Sequence, residues 1–351
     1  MREIPKYKAL AAFLKTEIEN GHYNYGDRLP SENELAQTYN MSRETVRQAI
    51  SRLSVDGLIE RRRGSGTYVS GGFSKAAKTM NIAVITTYIN EYIFPSILKG
   101  MEAELSCNGY SPILMATHNK VAQERCILQA CLSKAIDGLI VEGTKTALPN
   151  PNIDLYQQLA QKGLPVVFFN GYYPELKNCI YVVADEHSGG YQATEYLMRK
   201  GHTKIAGIFK SDDIQGHRRY SGYTDCFIRY AVPLVDELVF WFTTETKDAV
   251  YSPAFLDAVN NCTAVVCYND EIAIMLTEFL RKNGKRIPDD CAVVSFDNSI
   301  YSDMAAVKIT SLDHPKESVG RLAVQKLLNI INHRRERSSV LPWRLVEKDS
   351  S

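Results

Sequence analysis

Apolar positions along this chain follow two different rhythms. Over the first fifty residues they recur three and four positions apart, the spacing of amphipathic helices. Leu35, Ala36 and Tyr39 form one apolar face, and Val46, Ala49, Ile50 and Leu53 form a second at i, i+3, i+4 and i+7. Pro30-Ser31 with Glu34 three residues on has the form of a capping box, so one helix starts there. Asn40 ends it, Met41 fills the turn, and Ser42 caps the next helix. A short strand follows Gly57, then a basic tip Arg61-Arg62-Arg63, a Gly64-Ser65-Gly66 turn and a returning strand Thr67-Tyr68-Val69. Two short helices and a glycine-closed hairpin predict a winged helix-turn-helix.

From residue 82 onward, short unbroken apolar runs alternate with helical patterns. The runs lie at 82–85, 111–115, 138–141, 166–169, 181–183, 205–209, 264–267 and 292–295. Helices are expected at 95–108, 122–134, 188–200, 270–283 and 316–331. Continuous apolar strands separated by helices imply parallel sheets covered on both faces. The strands are too many for one compact sheet, and the series divides near Asp185. The expected fold class is therefore α/β: a winged helix-turn-helix, then two doubly wound lobes with a cleft at the carboxyl ends of their strands. The expected domains are a head at 1–70, a small, polar linker at 71–80 and a two-lobed domain at 81–351. Lobe 1 is placed at about 81–184 and 298–330, lobe 2 at about 185–297 and 331–351.

Composition narrows the class. The chain has 351 residues, 45% apolar and 23% charged, with a net charge of only +1. That is a globular chain of two or three domains, and nucleic-acid binding must come from a local basic surface. None of the eight cysteines forms a CxxC pair or stands at zinc spacing from a histidine, so the expectation is reduced thiols, most of them buried, with no metal and no cofactor. No apolar run approaches the ~20 residues of a membrane span, and the N-terminus lacks a signal-peptide block. The expected location is the cytoplasm, with no membrane partner.

The face of the second helix opposite its apolar stripe carries Arg43, Thr45, Arg47, Gln48 and Arg52, side chains that reach base edges and phosphates. Residues 1–70 resemble the head of the GntR family. The resemblance rests on Pro5-Lys6-Tyr7, Leu29-Pro30-Ser31-Glu32 with Leu35-Ala36, Ser42-Arg43 with Thr45-Val46-Arg47 and Ala49, and Gly64-x-Gly66-Thr67-Tyr68-Val69. Met41 departs from the family's small apolar turn residue. The expected DNA contacts are Arg43, Thr45 and Arg47 on bases and nearby phosphates, supported by Ser31, Glu32, Asn33 and Ser42. Lys6 and Tyr7 are expected on the backbone, and Arg63, Gly64 and Gly66 against the minor groove. One recognition helix per chain reads only a few base pairs, so a homodimer on palindromic double-stranded operator DNA is expected.

Residues 80–351 are similar to the LacI/GalR effector domain, a fold shared with periplasmic sugar-binding proteins. The ordered motifs include Phe94-Pro95, Asp137-Gly138-Leu139-Ile140, Leu197-x-x-x-Gly201-His202, Arg219-x-x-Gly222-Tyr223, Asn269-Asp270-x-x-Ala273 and Val293-Val294-x-Phe296-Asp297. The combination of this domain with a GntR-type head resembles the arabinose repressors of Firmicutes. That resemblance extends to residues 88–97, 137–145 and 209–216.

Effector candidates stand where strands end. Tyr88 and Phe94 could stack on a sugar ring, and Asn170, Tyr172, Gln215 and Asp297 follow apolar runs. By resemblance, Arg219 and Asp270 match effector-binding positions of the LacI/GalR group, and Glu142, Lys145 and His217 match the arabinose repressors more narrowly. Asp270 could merely cap its helix, a role compatible with ligand contact, Arg219 could be a surface ion-pair residue, Tyr88 and Phe94 could fill core, and His314 could serve a hinge as well as a ligand. Enzyme readings lack parts: there is no Gly-x-Ser-x-Gly elbow and no Walker loop. The expectation is a repressor of sugar-utilisation genes, released from operator by a pentose such as L-arabinose. The alternatives are a regulator answering to another sugar or a nucleobase, or an effector-activated activator.

Overall fold

The structure is a computed structural model that describes residues 5–19, 22–23, 26–56, 58–62, 65–69 and 78–351. The chain forms two compact units, Met1–Thr79 and Met80–Ser351.

The first unit contains α1 (Lys6–Glu19), α2 (Glu32–Thr38) and α3 (Arg43–Val55), followed by the antiparallel pair β1 (Ile59–Arg62) and β2 (Gly66–Val69). The capping box forms as expected. The Ser31 backbone N–H donates to Glu34 Oε2 at 2.7 Å, and the Glu34 N–H donates to Ser31 Oγ at 3.3 Å. Asn40 takes φ of +48°, which turns the chain between α2 and α3. Val46, Ala49, Ile50 and Leu53 bury their stripe against Leu10, Leu14 and Leu35. Arg61 and Arg62 belong to β1 rather than to a tip, because the ladder continues to the Arg62–Gly66 pair. Arg63, Gly64 and linker residues 71–77 lie outside the described residues.

The second unit opens with β3 (Asn81–Thr86), α4 (Phe94–Cys107), β4 (Ser111–Ala116), α5 (Val121–Ser133), β5 (Gly138–Val141), α6 (Ile153–Gln161), β6 (Val166–Phe169) and β7 (Ile180–Ala184). It continues through α7 (Glu186–Arg199), β8 (Ile205–Lys210), α8 (Ile214–Tyr230), β9 (Val239–Phe242), α9 (Pro253–Val259), β10 (Ala264–Cys267), α10 (Asp270–Lys282), β11 (Ala292–Phe296), α11 (Ile300–Met304) and β12 (Thr310–Asp313). Then come α12 (Lys316–Ile331), β13 (Ser339–Leu341) and β14 (Arg344–Val346). Two six-stranded sheets result, ordered β13-β7-β6-β5-β3-β4 and β14-β12-β11-β10-β8-β9; β14 is antiparallel and every other pairing is parallel. Each central strand is buried on both faces, which is why it reads as an unbroken apolar run.

The first crossover between lobes falls at Asp185, as expected. The other two correct the sequence reading. Residues 298–313, expected in lobe 1, include β12, which pairs with β11 in lobe 2. The return to lobe 1 comes only at His314-Pro315, ahead of α12. Residues 339–341, expected in lobe 2, pair with β7 in lobe 1, and the last crossing precedes β14. These strands are only four and three residues long, too short to carry a pattern of their own.

Candidate functional site

Two surfaces carry chemistry, one in each unit. In the head, Arg43 and Arg47 are exposed on α3 opposite its buried stripe. Ser42 caps that helix, its Oγ accepting the Thr45 N–H at 3.2 Å and lying 2.8 Å from Thr45 Oγ1. Glu32, at the start of α2, ties α3 to β1: Arg61 donates to its Oε1 at 2.9 Å, and Arg47 Nε stands 3.5 Å from its Oε2. Ser31, Asn33 and Lys6 are exposed, whereas Tyr7 is half-buried and packs on the core of the unit. Gly66 opens β2 with φ of +127°.

In the second unit a cavity of about 440 Å³ lies between the two lobes. Its walls come from the carboxyl ends of the strands, as open parallel sheets require. Tyr88, Phe94, Glu142, Asn170, Arg219 and Asp297 of the expected set line it. Glu142, just beyond β5, is fixed by four donors. Its Oε2 accepts from Thr87 N (2.8 Å), Thr87 Oγ1 (2.6 Å) and Thr86 Oγ1 (3.2 Å), and its Oε1 from Asn170 Nδ2 (3.1 Å). Burial nevertheless pushes its carboxyl above the usual range. Arg219 donates from Nε to Glu186 at 2.6 Å and through NH1 to the Tyr268 carbonyl, and its guanidinium lies 4.2 Å from the Phe296 ring centroid. Burial opposes that charge, but Glu186 and Asp297 outweigh it and hold the group protonated. It is a buried, oriented cation, not a surface ion-pair residue.

Four of the expected residues do not reach the cavity. Asp270 is fully buried and already saturated: Ser295 and Ser311 hydroxyls donate to Oδ1, and the Ser299 N–H and hydroxyl donate to Oδ2. It secures α10 to β11 and β12, while neighbouring Asn269 supplies the cap. Lys145 spans the cleft rim and pairs with Glu245 of the opposite lobe at 2.6 Å. His217 is exposed, bonded to the Ser211 carbonyl and 5.1 Å from the Trp241 ring centroid. Tyr172 likewise stands at the rim, accepting from Arg218 at 2.7 Å.

The lining also contains residues that the sequence pattern does not single out. Lys210 ends β8 and pairs with Asp213 at 2.6 Å. Its place at the end of an apolar run was the available signal. Tyr92 sends its hydroxyl across the cleft, donating to Asp297 Oδ2 at 2.6 Å and accepting the Asp270 N–H at 3.1 Å. Glu186 begins α7 and Glu271 stands in the first turn of α10, where sequence periodicity marks a start but not a direction. Two lining atoms are buried without a hydrogen-bond partner: Gln215 Oε1 and His314 Nδ1. Burial lowers the His314 imidazole to about 4, so the ring is neutral near pH 7.

The rim is drawn together by bonds between lobes. Asn119 Nδ2 donates to Thr244 Oγ1 at 2.6 Å, the Ile214 N–H to Thr146 Oγ1 at 3.0 Å, and the Ala147 N–H to the Asp212 carbonyl at 3.2 Å. Among the described residues, no three His, Cys, Asp or Glu side chains converge as metal ligands would, and no helix is long and apolar enough to cross a membrane.

Residues 6–69 match the model of the bacterial regulatory proteins of the gntR family, and residues 194–351 that of the periplasmic binding protein-like domain. The chain is 38% identical over 340 residues to an arabinose metabolism transcriptional repressor of Halalkalibacterium halodurans, covering 94% of this chain and 90% of that one. It is 37% identical to a protein of the same description from Geobacillus stearothermophilus, covering 95% and 93%. Among solved structures, the transcription regulator CcpA of Lactococcus lactis superposes with a TM-score of 0.70 at 25% identity, over 77% of this chain and 98% of that one. A CelR–cellobiose complex shares the fold with a TM-score of 0.70 at 22% identity, over 92% and 100%. These similar proteins are transcription regulators, not enzymes.

Proposed function

Because the chain belongs to the family of transcriptional repressors that join a GntR-type head to a periplasmic-binding-protein-like domain, we propose that it represses sugar-utilisation genes and is released from operator by a pentose, L-arabinose foremost. The head grips a palindromic operator as part of a homodimer in the cytoplasm. The pentose lies between the lobes and favours the closed cleft.

The observation that carries this reading is the interlobe cavity itself. Its 440 Å³ falls within the range of small-molecule sites. It offers aromatic faces in Tyr88 and Phe94 and polar side chains in Asn170, Gln215 and Arg219. A neutral polyol with hydroxyls around an apolar C–H face suits such a lining, whereas an apolar guest would desolvate these polar groups without pairing them. The 38% identical relative, described as an arabinose metabolism repressor, supports the choice of pentose.

A gel-shift titration on operator duplex with L-arabinose, D-xylose and D-galactose tests it. Arabinose is expected to release the wild type, and Gln215→Ala to need several-fold more sugar while binding DNA normally. Tighter operator binding with arabinose would make the protein co-repressed or an activator. No response to any of the three sugars would remove the pentose, leaving another sugar or a nucleobase as effector.

A further inference from the structure

The end of lobe 1 opposite the cleft is a row of cations. In the sheet order β13-β7-β6-β5-β3 the pairings are all parallel, so the amino ends of these strands share one edge. The segments leading into them carry Arg334, Arg335 and Arg337 before β13, Lys162 before β6, Lys134 before β5 and Lys78 before β3, all exposed. Lys162 bonds to the Leu132 carbonyl and Arg334 to the Asn329 amide oxygen, neutral acceptors that leave their charge uncompensated. Of the carboxylates on the same segments, Glu336 is paired with Lys326, whereas Asp137, which accepts the Met80 N–H, offsets one charge of a row that stays positive overall. In a chain of net charge +1 this concentration of one sign is a local feature.

Four strand spacings separate β13 from β3, about 19 Å at 4.8 Å each. Duplex DNA carries about one phosphate charge per 1.7 Å of axis, so the row matches roughly half a helical turn. The chain enters the domain at this same edge, at Met80 just ahead of β3. We propose that the strand-start edge of lobe 1 is a second, sequence-independent DNA surface that contacts phosphates flanking the operator. The proposal rests on the reading of the head as an operator-binding module.

Lys134 and Lys162 also stand at the C-caps of α5 and α6, where a cation favours the helix end. Arg335 and Arg337 have no such role, so the test uses them. An operator selected by the full-length protein from random duplexes is prepared in two forms, trimmed to the protected core and with ten flanking base pairs on each side. The double variant Arg335→Gln/Arg337→Gln is expected to bind the trimmed form like wild type and the flanked form several-fold more weakly. Its salt slope on the flanked form should fall by about one unit for each phosphate it no longer neutralises. A mixed-sequence 40-base-pair duplex, which needs no operator, should show the same fall in slope.

Wild-type affinity and slope on both the flanked and the mixed-sequence duplex would overturn the proposal. So would equal weakening on trimmed and flanked forms. Failure to select any operator would instead strike the reading of the head, and the mixed-sequence duplex would still decide the edge. Unchanged thermal stability of the variant separates a weakened DNA surface from misfolding.

Discussion

At the residue scale, two buried titratable groups, His314 at a crossover and Asp270 at the start of α10, oppose each other. Burial holds the His314 imidazole at about 4, against about 6.5 when free. Above pH 6.5 the ring is neutral folded and unfolded, so its contribution is intact. As pH falls from 6.5 to 4, the unfolded chain gains a proton that the folded one refuses, and stability drops by about 3 kcal/mol. Asp270 runs the other way. Burial, helped by Asp297, pushes its carboxyl from 3.8 up to about 6. Its contribution is complete below pH 3.8 and is lost as pH rises through 6, again by about 3 kcal/mol. The two slopes offset each other between pH 4 and 6. Relative to wild type, His314→Gln should therefore gain stability on acidification from pH 6 to 4, and Asp270→Asn should lose it. Urea unfolding followed by the two tryptophans, Trp241 and Trp343, reads this domain alone. Variant profiles parallel to wild type would show that these groups are not the ones titrating.

The helices add constraints of their own. On α3, Arg43 stands free at the amino end, while Arg47 is steered by Glu32 and Glu44. Arg43→Ala should cost about 1–3 kcal/mol on operator if it makes a bidentate base contact, and should relax specificity at one position. Equal loss on operator and random DNA would reduce it to a phosphate contact. In lobe 2, α7 and α8 cross where a Cβ on Gly190 would sit 2.0 Å from the Arg219 carbonyl oxygen. Backbone cannot swing aside as a side-chain tip can. Gly190→Ala should therefore destabilise the domain by about 1–3 kcal/mol and displace Arg219 from the cavity wall. A variant with wild-type melting and sugar affinity would contradict that crossing. Lobe 1 uses the same device, a Cβ on Gly320 of α12 lying 2.2 Å from the Ile97 carbonyl oxygen of α4.

For the whole molecule, the rim bonds determine how far closure depends on a guest. Lys145 and Glu245 lie on different lobes, and Glu245 is 57% exposed, so their ion pair adds at most about 1 kcal/mol. Glu245→Gln should accordingly weaken sugar binding measurably, though by no more than a few-fold, without touching the cavity wall. A ligand shifts an equilibrium only by its differential affinity for the two states, so operator binding without sugar should stay the same or tighten. Under the proposed function, linkage requires the factor by which sugar loosens operator to equal the factor by which operator loosens sugar, in wild type and variant alike. Calorimetric sugar titrations with and without operator duplex measure both factors. Unchanged sugar affinity in Glu245→Gln would mean that the rim is indifferent to closure.

Sequence alone determined what depends on local period and chemistry. The capping box at Ser31, the buried stripe of α3, the unbroken apolar strands and the division at Asp185 each follow from residues adjacent on the chain or one helical turn apart. The positions of Tyr88, Asn170 and Asp297 on the cavity followed from one topological rule, that ligands meet parallel sheets at their carboxyl ends, whereas Glu142 and Arg219 were marked by resemblance to known regulators. Tertiary structure decided which way those side chains are spent. Asp270 and Asp297 both stand at strand ends. The first is consumed by three serines that only the β10–β11–β12 packing assembles, and the second faces the cavity. Lys145 and His217 follow strand-end segments too, yet the rim places both outside. The final crossovers escaped the sequence because β12 and β13 gain their membership from neighbours rather than from their own residues. Local pattern fixes whether a segment is helix or strand, but partners distant along the chain decide which polar groups are already satisfied and which remain to bind something else.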